Sequence, residues 1–439
     1  MIRVYEGARK TGQNGGVGYD NTNDQPSGDN WAQSHSYGAA AVQRPADAAE
    51  VRELILRGEK VRALGSRHSF TDLADTSGNL VSLDRLPVDL VIDEDARTAS
   101  FAPGIRYGDL ATLLQARGWA LHNLASLPHI SVAGAVATGT HGSGDRNGTL
   151  ATAVAGLEFI DGTGELVRLT RGGADFDGAV VGLGALGIVT RITLDIEPTF
   201  DVRQDLYNNV PWDAVLEHFD ELTGSAYSVS LFTTWVGESI EIAWLKSRTD
   251  QPVPPEALFG APREVTDEHM ISSQPASNTT TQGGIPGPWN ERLAHFKLGF
   301  TPSNGDELQT EYLVPRANVL PALAAMRSLS SKIAPLLLIT ELRTMAADRL
   351  WLSGAYDTDA VGIHFTWKKL PTEVGALLPE IEAALLPLGA RPHWGKVFAA
   401  GASELAPQYP RFDDFRALAR KYDPNGVFRN DFLTRKLGL

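Results

Sequence analysis

Two short stretches of this sequence place charged and polar side chains at every second position. In "ITELRT" these residues are Glu341 and Arg343, and in "IHFTW" they are His364 and Thr366. Because alternate side chains of a strand point to the same face, each pair is expected to share one face. Burying such groups among apolar neighbours is costly unless they are paired or meet a ligand. The pattern therefore fits either a structural ion pair or a site for a polar molecule.

Two other stretches are rich in small residues. "GSRHSF" (65–70) and "GAVATGTHGSG" (134–144) follow apolar runs and consist mainly of Gly, Ser, Thr and Ala. Loops of this composition can offer backbone N–H groups and hydroxyls to a pyrophosphate without Lys or Arg. Taken alone, each loop is more typical of an ordinary glycine-rich turn, because short motifs often match by chance.

A third glycine-rich stretch, "GLGALG" (182–187), matches the GxGxxG pattern literally. The dinucleotide-binding fingerprint needs a strand before the glycines and a helix after them. Here a helix-like "DFDGAVV" precedes the glycines and the β-rich "IVTRITLDI" follows them. The stretch is therefore predicted to be a tight turn and not a Rossmann site.

The net charge and the residue composition exclude several kinds of partner and of metal site. The formal net charge is −14, which disfavours nucleic acid and anionic membrane surfaces as partners. The 439 residues include no cysteine, which excludes disulfides and thiolate metal sites, and the spacing of His129 and His141 is not that of a metal motif. Neither a secretory signal nor a membrane-spanning apolar run is present. We therefore expect a cytoplasmic protein with no metal.

The chain length favours two domains, and the elements that must position these residues form an α+β protein. Residues 1–30 are a polar, glycine-rich extension, and 31–200 alternate strands with helices. Residues 201–410 predict a second α+β domain built on an antiparallel sheet, with long loops across 250–306. A helix and a turn follow in 411–439.

Some elements are predicted individually. Helices are expected over 44–58, in a segment that stops at Gly118, and as one unit in "WDAVLEHFDELTG" (212–224). A hairpin is expected to turn at Asp161-Gly162.

Seven ordered motifs from Trp31 onward resemble those of the vanillyl-alcohol oxidase type of flavin-dependent oxidases, and within them the alditol (xylitol, sorbitol) oxidases. They are "RALGSRHSF", "ASLPHISVAGAVATGTHGSG", "GLGALGIVT", "ITELRTMAADRLWLSGAY", "GIHFTWKK", "HWGKVF" and "YDPNGVF". The resemblance implies an FAD-binding domain of two small α+β subdomains over 31–200, a substrate domain over 201–410, and a C-terminal segment that returns to the FAD domain.

The resemblance also implies the cofactor contacts. FAD would be attached covalently through His68, and this covalent bond would raise the redox potential of the flavin. The other implied cofactor-binding residues are Ala63, Leu64, Gly65, Ser66, Arg67, Ser69, Ser126, Ser131, Gly134, Ala135, Val136, Ala137, Thr138, Ile188 and His393.

On the substrate side, the resemblance assigns Glu341, Arg343, Thr366 and Ser126 to the hydroxyls of a polyol, which both donate and accept hydrogen bonds. His364 and Lys396 would lie near the reacting terminal carbon. The implied reaction oxidises the terminal alcohol to an aldose and reduces O2 to hydrogen peroxide. Either Lys396 or His364 fits the role of base, since a lysine buried near Arg343 would have a lowered pKa.

Two alternatives stay open at this point. An aldonolactone oxidase shares the fold and an "HWGK"-like segment. A flavin-binding protein without turnover is a different class, although the polar residues argue against it. The expected partners are a small polyol and O2, with no nucleic acid or membrane, and the expected state is a monomer.

Overall fold

The computed structural model describes residues 27–300 and 305–439. Most of the expected N-terminal extension, residues 1–26, lies outside the described residues. Asn30 is buried and its side chain donates a hydrogen bond to the Ser69 carbonyl at 2.9 Å. The first described residues are therefore already tied to the segment that carries His68.

The regular elements are distributed along the whole described chain. The strands are β1 Ala41–Gln43, β2 Val61–Leu64, β3 Asn79–Ser82, β4 Val91–Asp93, β5 Thr98–Phe101, β6 Trp119–Ala120, β7 Val154–Asp161, β8 Leu166–Thr170, β9 Gly187–Asp195, β10 Glu197–Pro198, β11 Asp201–Pro211, β12 Ser228–Thr233, β13 Ser239–Arg248, β14 Ala257–Leu258, β15 Ala261–Glu264, β16 Gly287–Pro288, β17 Glu307–Pro315, β18 Leu337–Met345, β19 Ala360–Lys368 and β20 Arg391–Pro392. The α-helices are α1 Ala48–Leu56, α2 Tyr107–Gln115, α3 Val132–Ala137, α4 Phe176–Ala179, α5 Trp212–Glu217, α6 Phe219–Thr223, α7 Val319–Ser328, α8 Ser330–Ile333, α9 Pro371–Leu385, α10 Ala402–Leu405, α11 Phe412–Tyr422 and α12 Asp431–Leu437.

The part of the chain before residue 200 contains two larger sheets. The first is parallel, in the order β1-β3-β2, and the second is antiparallel, in the order β4-β5-β9-β7-β8. Its long central strands β7 and β9 bury apolar side chains such as Leu157, Phe159 and Leu194 in the main core. Two α+β subdomains result, as the resemblance implies.

The rest of the chain is organised around one ten-stranded sheet. Its order is β14-β15-β11-β13-β12-β18-β19-β17-β20, with β16 paired to β11, and its neighbouring strands are antiparallel. The strands β18 and β19, which carry the "ITELRT" and "IHFTW" residues, are adjacent at its centre. An α+β fold with an antiparallel second sheet is therefore confirmed.

Several predicted elements are confirmed and three need correction. The helix before Gly118, the hairpin of β7 and β8, and the tight turn at 182–187 are present. The small-residue stretch is not wholly a loop, because 132–137 forms α3. The predicted helix over 212–224 is interrupted at His218, whose φ of −119° separates α5 from α6. The region 250–306 also contributes three short strands to the sheet.

Arg62 on β2 joins segments that are distant in sequence. Its buried guanidinium donates hydrogen bonds to the carbonyls of Leu73 (2.5 Å), Leu183 (2.8 Å), Gly184 (2.8 Å) and Phe428 (3.0 Å). Five N–H donors in a rigid plane suit Arg to a set of converging carbonyls. The "GLGALG" turn and the C-terminal segment are thereby fastened to the parallel sheet.

The C-terminal segment also contacts the first sheet directly. The Val427 carbonyl accepts a hydrogen bond from the Val61 N–H at 3.0 Å. Asn430 Nδ2 donates to the carbonyls of Leu73 (3.0 Å) and Asp75 (2.8 Å). Among the described residues, no helix is both long and apolar enough to cross a membrane.

Candidate active site

A cavity of about 1240 Å³ connects the first sheets with the face of the ten-stranded sheet. Its lining includes every predicted site residue except Ile188. One part of the lining comes from the segments 63–70, 131–138 and 182–187, which we call the cradle. Another part comes from a set of buried polar residues that we call the polar cluster: Glu311, Glu341, Arg343, His364, Thr366 and Lys396.

The cradle is held together by reciprocal hydrogen bonds between two serines. The Ser131 N–H donates to Ser66 Oγ at 3.0 Å, and the Ser66 N–H donates to Ser131 Oγ at 3.3 Å. A Cβ atom on Gly65 would lie 2.6 Å from Ser131 Oγ, and one on Gly134 would lie 2.9 Å from it. Glycine is required here because the two backbones approach each other too closely for a side chain.

His68 occupies the wall of the cradle. The preceding Arg67 has a φ of 62°, a left-handed conformation that is uncommon outside glycine. The imidazole stacks on Trp31 with 5.2 Å between the ring centroids, and its Nδ1 lies 3.1 Å from Ser66 Oγ. Burial lowers the pKa of His68 to about 4, and the neighbouring His129 acts in the same direction. The ring is therefore neutral at neutral pH, with a lone pair on one nitrogen.

Ile188 is placed differently from the other predicted cofactor residues. Its side chain is completely buried in a separate apolar cluster that includes Ile160 and Phe428. The adjacent Gly187 and Val189 line the cavity instead, because successive side chains of a strand point to opposite faces. A contact between Ile188 and the cofactor is thus restricted to its backbone.

The polar cluster is assembled by the register of three neighbouring strands. Glu341 on β18 is paired with His364 on β19, which is in turn paired with Glu311 on β17. Arg343 is opposite Gly362, where a Cβ atom would lie 2.9 Å from Glu311 Oε1. The missing side chain leaves space for the Glu311 carboxylate to reach the guanidinium.

Glu311 is the main functional candidate that the sequence analysis missed. Its carboxylate is fully buried and lies 2.6 Å from Lys396 Nζ, 3.2 Å from Arg343 Nη2 and 3.1 Å from His141 Nε2. Burial acts to raise the pKa of Glu311, but the charges of Lys396, His141 and Arg343 hold it well below its usual value. The alternation of Glu307, Gln309 and Glu311 in "ELQTEYLV" is the signal that would have found it.

Arg343 and Lys396 provide the positive charges of the cluster. Arg343 Nη1 donates to Ser126 Oγ at 3.2 Å, and its Nε lies 3.5 Å from Glu341 Oε2. Burial lowers the pKa of Lys396, while its ion pair with Glu311 opposes that shift. The predicted direction for Lys396 is confirmed, but its partner is an acid and not only the neighbouring Arg343.

His364 is the least satisfied group of the cluster. The residue is 8 % exposed, and neither ring nitrogen has a hydrogen-bond partner. The nearest charged atom, Glu341 Oε2, is 3.7 Å from Nδ1. Burial lowers the pKa of His364 to about 4, and the charge of Lys396 acts in the same direction. A buried, neutral and unpartnered imidazole is well suited to a ligand that forms hydrogen bonds.

The geometry fits FAD and the polyol binding implied by the resemblance. The glycine and serine turns leave room for a backbone approach, and His364, whose ring nitrogens have no hydrogen-bond partner, lines the same cavity. His393 is buried and lines the cavity, and its Nδ1 accepts the Gly395 N–H at 3.1 Å. Across residues 27–300 and 305–439, no group of three or more His, Asp or Glu side chains is arranged to hold a metal ion.

Two segments of the chain match known protein families, and a solved structure shares the fold. Residues 39–170 match the profile of an FAD binding domain, and 304–436 match that of D-arabinono-1,4-lactone oxidase. A crystal structure of cholesterol oxidase from B. sterolicum shares the fold, with a TM-score of 0.77 and 16% identity, over 94% of this chain and 97% of that one.

Two relatives match along nearly their whole length. L-gulono-1,4-lactone dehydrogenase of Mycobacterium tuberculosis is 29% identical, over 93% of this chain and 98% of its own. Alditol oxidase of a Streptomyces species is 46% identical, over 92% of this chain and 97% of its own. With the fold, the cradle and this degree of identity in agreement, the chain belongs to the alditol oxidase family of FAD-dependent oxidoreductases.

Proposed function

We propose that this protein oxidises the terminal primary alcohol of alditols such as xylitol and sorbitol to the aldose and reduces O2 to hydrogen peroxide. The observation that carries the proposal is the polar cluster, which shares one cavity with the glycine-rich cradle. When bound there, FAD supplies hydride acceptance and passes two electrons to O2. The chain's own residues supply substrate binding, orientation and control of the alcohol proton.

The polar cluster offers complementary groups for a row of hydroxyls. Glu341 accepts hydrogen bonds, Arg343 donates them, and the Thr366 and Ser126 hydroxyls do both. Arg343 and Glu341 are each about 5 % exposed, so hydrogen bonds to substrate form with little competition from water. A site of this kind rejects analogues that lack the hydroxyls, because its buried polar groups are then left without partners.

His364 and Lys396 have different proton roles in this proposal. The ion pair with Glu311 at 2.6 Å favours the ammonium form of Lys396, which donates and cannot accept. The neutral imidazole of His364 has an available lone pair and a lowered pKa of about 4. His364 therefore accepts the alcohol proton, and Lys396 stabilises the negative charge that develops on the alcohol oxygen.

Covalent attachment of FAD through His68 is part of the proposal. The neutral ring has a nucleophilic lone pair, and it is held in the cavity wall by Trp31 and Ser66. After acid precipitation, yellow colour should remain with the wild-type protein and leave the His68→Ala variant. Colour released equally from both proteins would contradict the attachment while leaving FAD binding intact.

An aldonolactone is the second candidate substrate. The match of residues 304–436 to the D-arabinono-1,4-lactone oxidase profile favours it specifically. A closed lactone ring has fewer free hydroxyls than an open alditol, so it would leave more of the buried polar cluster without partners. The higher identity to the alditol oxidase relative also supports the polyol.

The first experiment is an anaerobic absorbance titration of the purified protein with xylitol. We expect the bound flavin to bleach at once, and to recover on admission of air with one peroxide formed per alditol oxidised. Bleaching by L-gulono-1,4-lactone but not by xylitol or sorbitol would favour the lactone candidate. Bound flavin that none of these compounds reduces would indicate a flavoprotein without this turnover.

The proposal extends to the oligomeric state and the cellular location. We infer a cytoplasmic monomer whose partners are the polyol and O2. Analytical ultracentrifugation checks the monomer, with a sedimenting mass near 47.3 kDa expected. Cell fractionation checks the cytoplasmic location.

A further inference from the structure

Next to Glu341 of the polar cluster lies a second set of buried polar groups that the proposed reaction does not use. Lys246 on β13 is 1 % exposed and His295, in the loop before β17, is 5 % exposed. His295 Nε2 lies 2.7 Å from Glu341 Oε1, and Lys246 Nζ lies 3.3 Å from His295 Nδ1. A charged lysine buried this deeply is rare unless it is paired.

The hydrogen bonds of Lys246 define which nitrogen of His295 carries the proton. An ammonium group has three N–H donors and no acceptor. Lys246 Nζ has three acceptors in reach: the carbonyls of Leu293 (2.7 Å) and Ala294 (2.8 Å), and His295 Nδ1. In the ammonium form of Lys246, Nδ1 accepts a hydrogen bond and holds the lone pair, which leaves the ring proton on Nε2, 2.7 Å from Glu341 Oε1.

The loop that contains His295 also contacts Ser126, another residue that is proposed to bind the substrate. The backbone N–H groups of His295 and Phe296 both donate to the Ser126 carbonyl, at 3.1 and 3.2 Å. Ser126 Oγ in turn accepts from Arg343. Lys246 thus holds the loop that contains His295. The backbone of this loop contacts Ser126, and the His295 side chain contacts Glu341.

We propose that Lys246 and His295 are positioning residues that hold Glu341 ionised and oriented to accept a substrate hydroxyl. The proposal rests on the proposed function, because it assumes that a substrate hydroxyl reaches Glu341. The lone pair that Glu341 offers the substrate is the one His295 does not use. Without the Nε2–H donor, the carboxylate is free to rotate and to rearrange its contact with Arg343.

The charged groups around Lys246 and His295 make the protonation of Glu341 depend on its neighbours. Glu341 is faced by Arg343 on its own strand, by His364 on β19 and by His295, while Arg292 acts on Lys246. Burial acts to raise the pKa of Glu341, but Arg343 and His295 hold it well below its usual value. Removing His295 should therefore shift the protonation of Glu341 towards neutral pH.

The tautomer is testable in the wild-type holoenzyme without any substrate. With selective ¹⁵N-histidine labelling, the ring signals that disappear in His295→Gln belong to His295. We expect a neutral ring protonated on Nε2 at pH 7 in the wild type, and a larger Nδ1–H fraction in Lys246→Met. A wild-type ring that is doubly protonated, or protonated on Nδ1, would overturn the proposal even if the protein fails to oxidise xylitol.

The kinetic test separates positioning from a merely structural role. His295→Leu should lower kcat/KM for xylitol by about 30-fold or more, since a buried charged hydrogen bond is lost, and should move the acid limb of kcat/KM to higher pH. His295→Gln keeps an N–H donor near Nε2 and should restore both to near the wild-type values. His122→Gln, which changes a histidine outside the cavity, is the matched control and should leave both unchanged.

Each kinetic outcome decides the proposal. An unchanged acid limb in His295→Leu, or an equal loss in His295→Gln and His295→Leu, would overturn it. Failure of the wild type to oxidise xylitol would instead contradict the proposed function, and the ring-nitrogen measurement would still report on the pair.

Discussion

The cradle and the polar cluster line one cavity, but the cradle is held together mainly by backbone groups and the polar cluster by side chains. In the cradle, Ser66 and Ser131 bind each other through backbone N–H groups, and glycines leave the space. In the polar cluster, buried side chains such as Glu311 and Arg343 neutralise one another. Changes in the cradle should therefore act on cofactor binding, and changes in the polar cluster should act on turnover.

The largest expected effect comes from Arg343→Met in the polar cluster. The variant loses the guanidinium that is proposed to donate to a substrate hydroxyl and that contacts Glu311 and Ser126, which should cost about 4 kcal/mol of transition-state stabilisation, or about 10³-fold in kcat/KM for xylitol. Flavin content should remain that of the wild type. Stopped-flow measurement of flavin reduction, with absorbance for the flavin content, checks both parts.

Arg349→Met is the matched control for that change. Arg349 forms an ion pair with Asp357 at 3.0 Å, but both side chains are about two-thirds exposed or more. Exposed pairs contribute little, so activity should stay within about twofold of the wild type. Loss of flavin from Arg343→Met, with normal reduction of what remains, would break the division between the two regions.

The next effect concerns stability against pH. Burial is the main cause that lowers the pKa of both His295 and His364 from 6.5 to about 4. Between these values the unfolded chain binds more protons than the folded one, so the free energy of unfolding falls as pH drops from 6.5 towards 4. Each histidine contributes up to about 3 kcal/mol to that loss.

Urea denaturation at pH 7, 6 and 5 measures this dependence. His364→Phe should flatten it, because the unfolded variant has one fewer histidine to protonate. An equally steep decline in His364→Phe would show that the polar cluster is not the source of the pH sensitivity.

A smaller effect is expected from Gly65→Ala in the cradle. The new methyl group would lie 2.6 Å from Ser131 Oγ, which must then rotate away from the Ser66 N–H. Loss of one such hydrogen bond should weaken FAD binding about tenfold. Titration with FAD in a His68→Ala background, where the cofactor can dissociate, measures the change.

Gly375→Ala provides the comparison for the cradle glycine. Gly375 is in helix α9, and a Cβ atom there would meet no atom within 4 Å. FAD affinity should therefore be unaffected. If Gly65→Ala instead lowers kcat at full flavin saturation, the cradle acts on turnover as well as on cofactor binding, which would contradict the division between the two regions.

The smallest effect is expected from Ser126→Ala, at the border between the two regions. Its hydroxyl accepts from Arg343 Nη1 at 3.2 Å. A hydrogen bond between the Ser126 hydroxyl and a substrate hydroxyl is neutral and is worth about 1 kcal/mol, so KM for xylitol should rise about fivefold. Steady-state peroxide assays check this, with the exposed Ser403→Ala as control, and a fall in kcat with unchanged KM would contradict a binding role.

The two regions also differ in how far they could be predicted. The cradle motifs are contiguous, and local residue types specify turns and close approaches, so "GSRHSF" and "GLGALG" could be interpreted directly. The period of two in "ITELRT" and "IHFTW" likewise predicted shared faces on neighbouring strands, which the register of β18 and β19 confirms.

Glu311 and Lys246 could not be placed in the same way. The position of Glu311 depends on the order of β18, β19 and β17 in the sheet, and that of Lys246 on a loop with no periodicity. Pairing partners that are tens of residues apart are decided by tertiary packing and not by local pattern. The helix at 132–137 was not predicted because its six residues are too few to show a helical period, and they include two Val and one Gly, which lower the helix preference.

The contacts of Arg62 have a consequence for the order of events during biosynthesis. The carbonyl of Phe428 that completes its hydrogen bonds is 366 residues further along the chain. A nascent chain can form the parallel strands early, but its "GLGALG" turn cannot be fastened from both sides until the segment 428–430 has emerged from the ribosome. We therefore expect the flavin to be held stably only after the C-terminal segment has joined the parallel sheet.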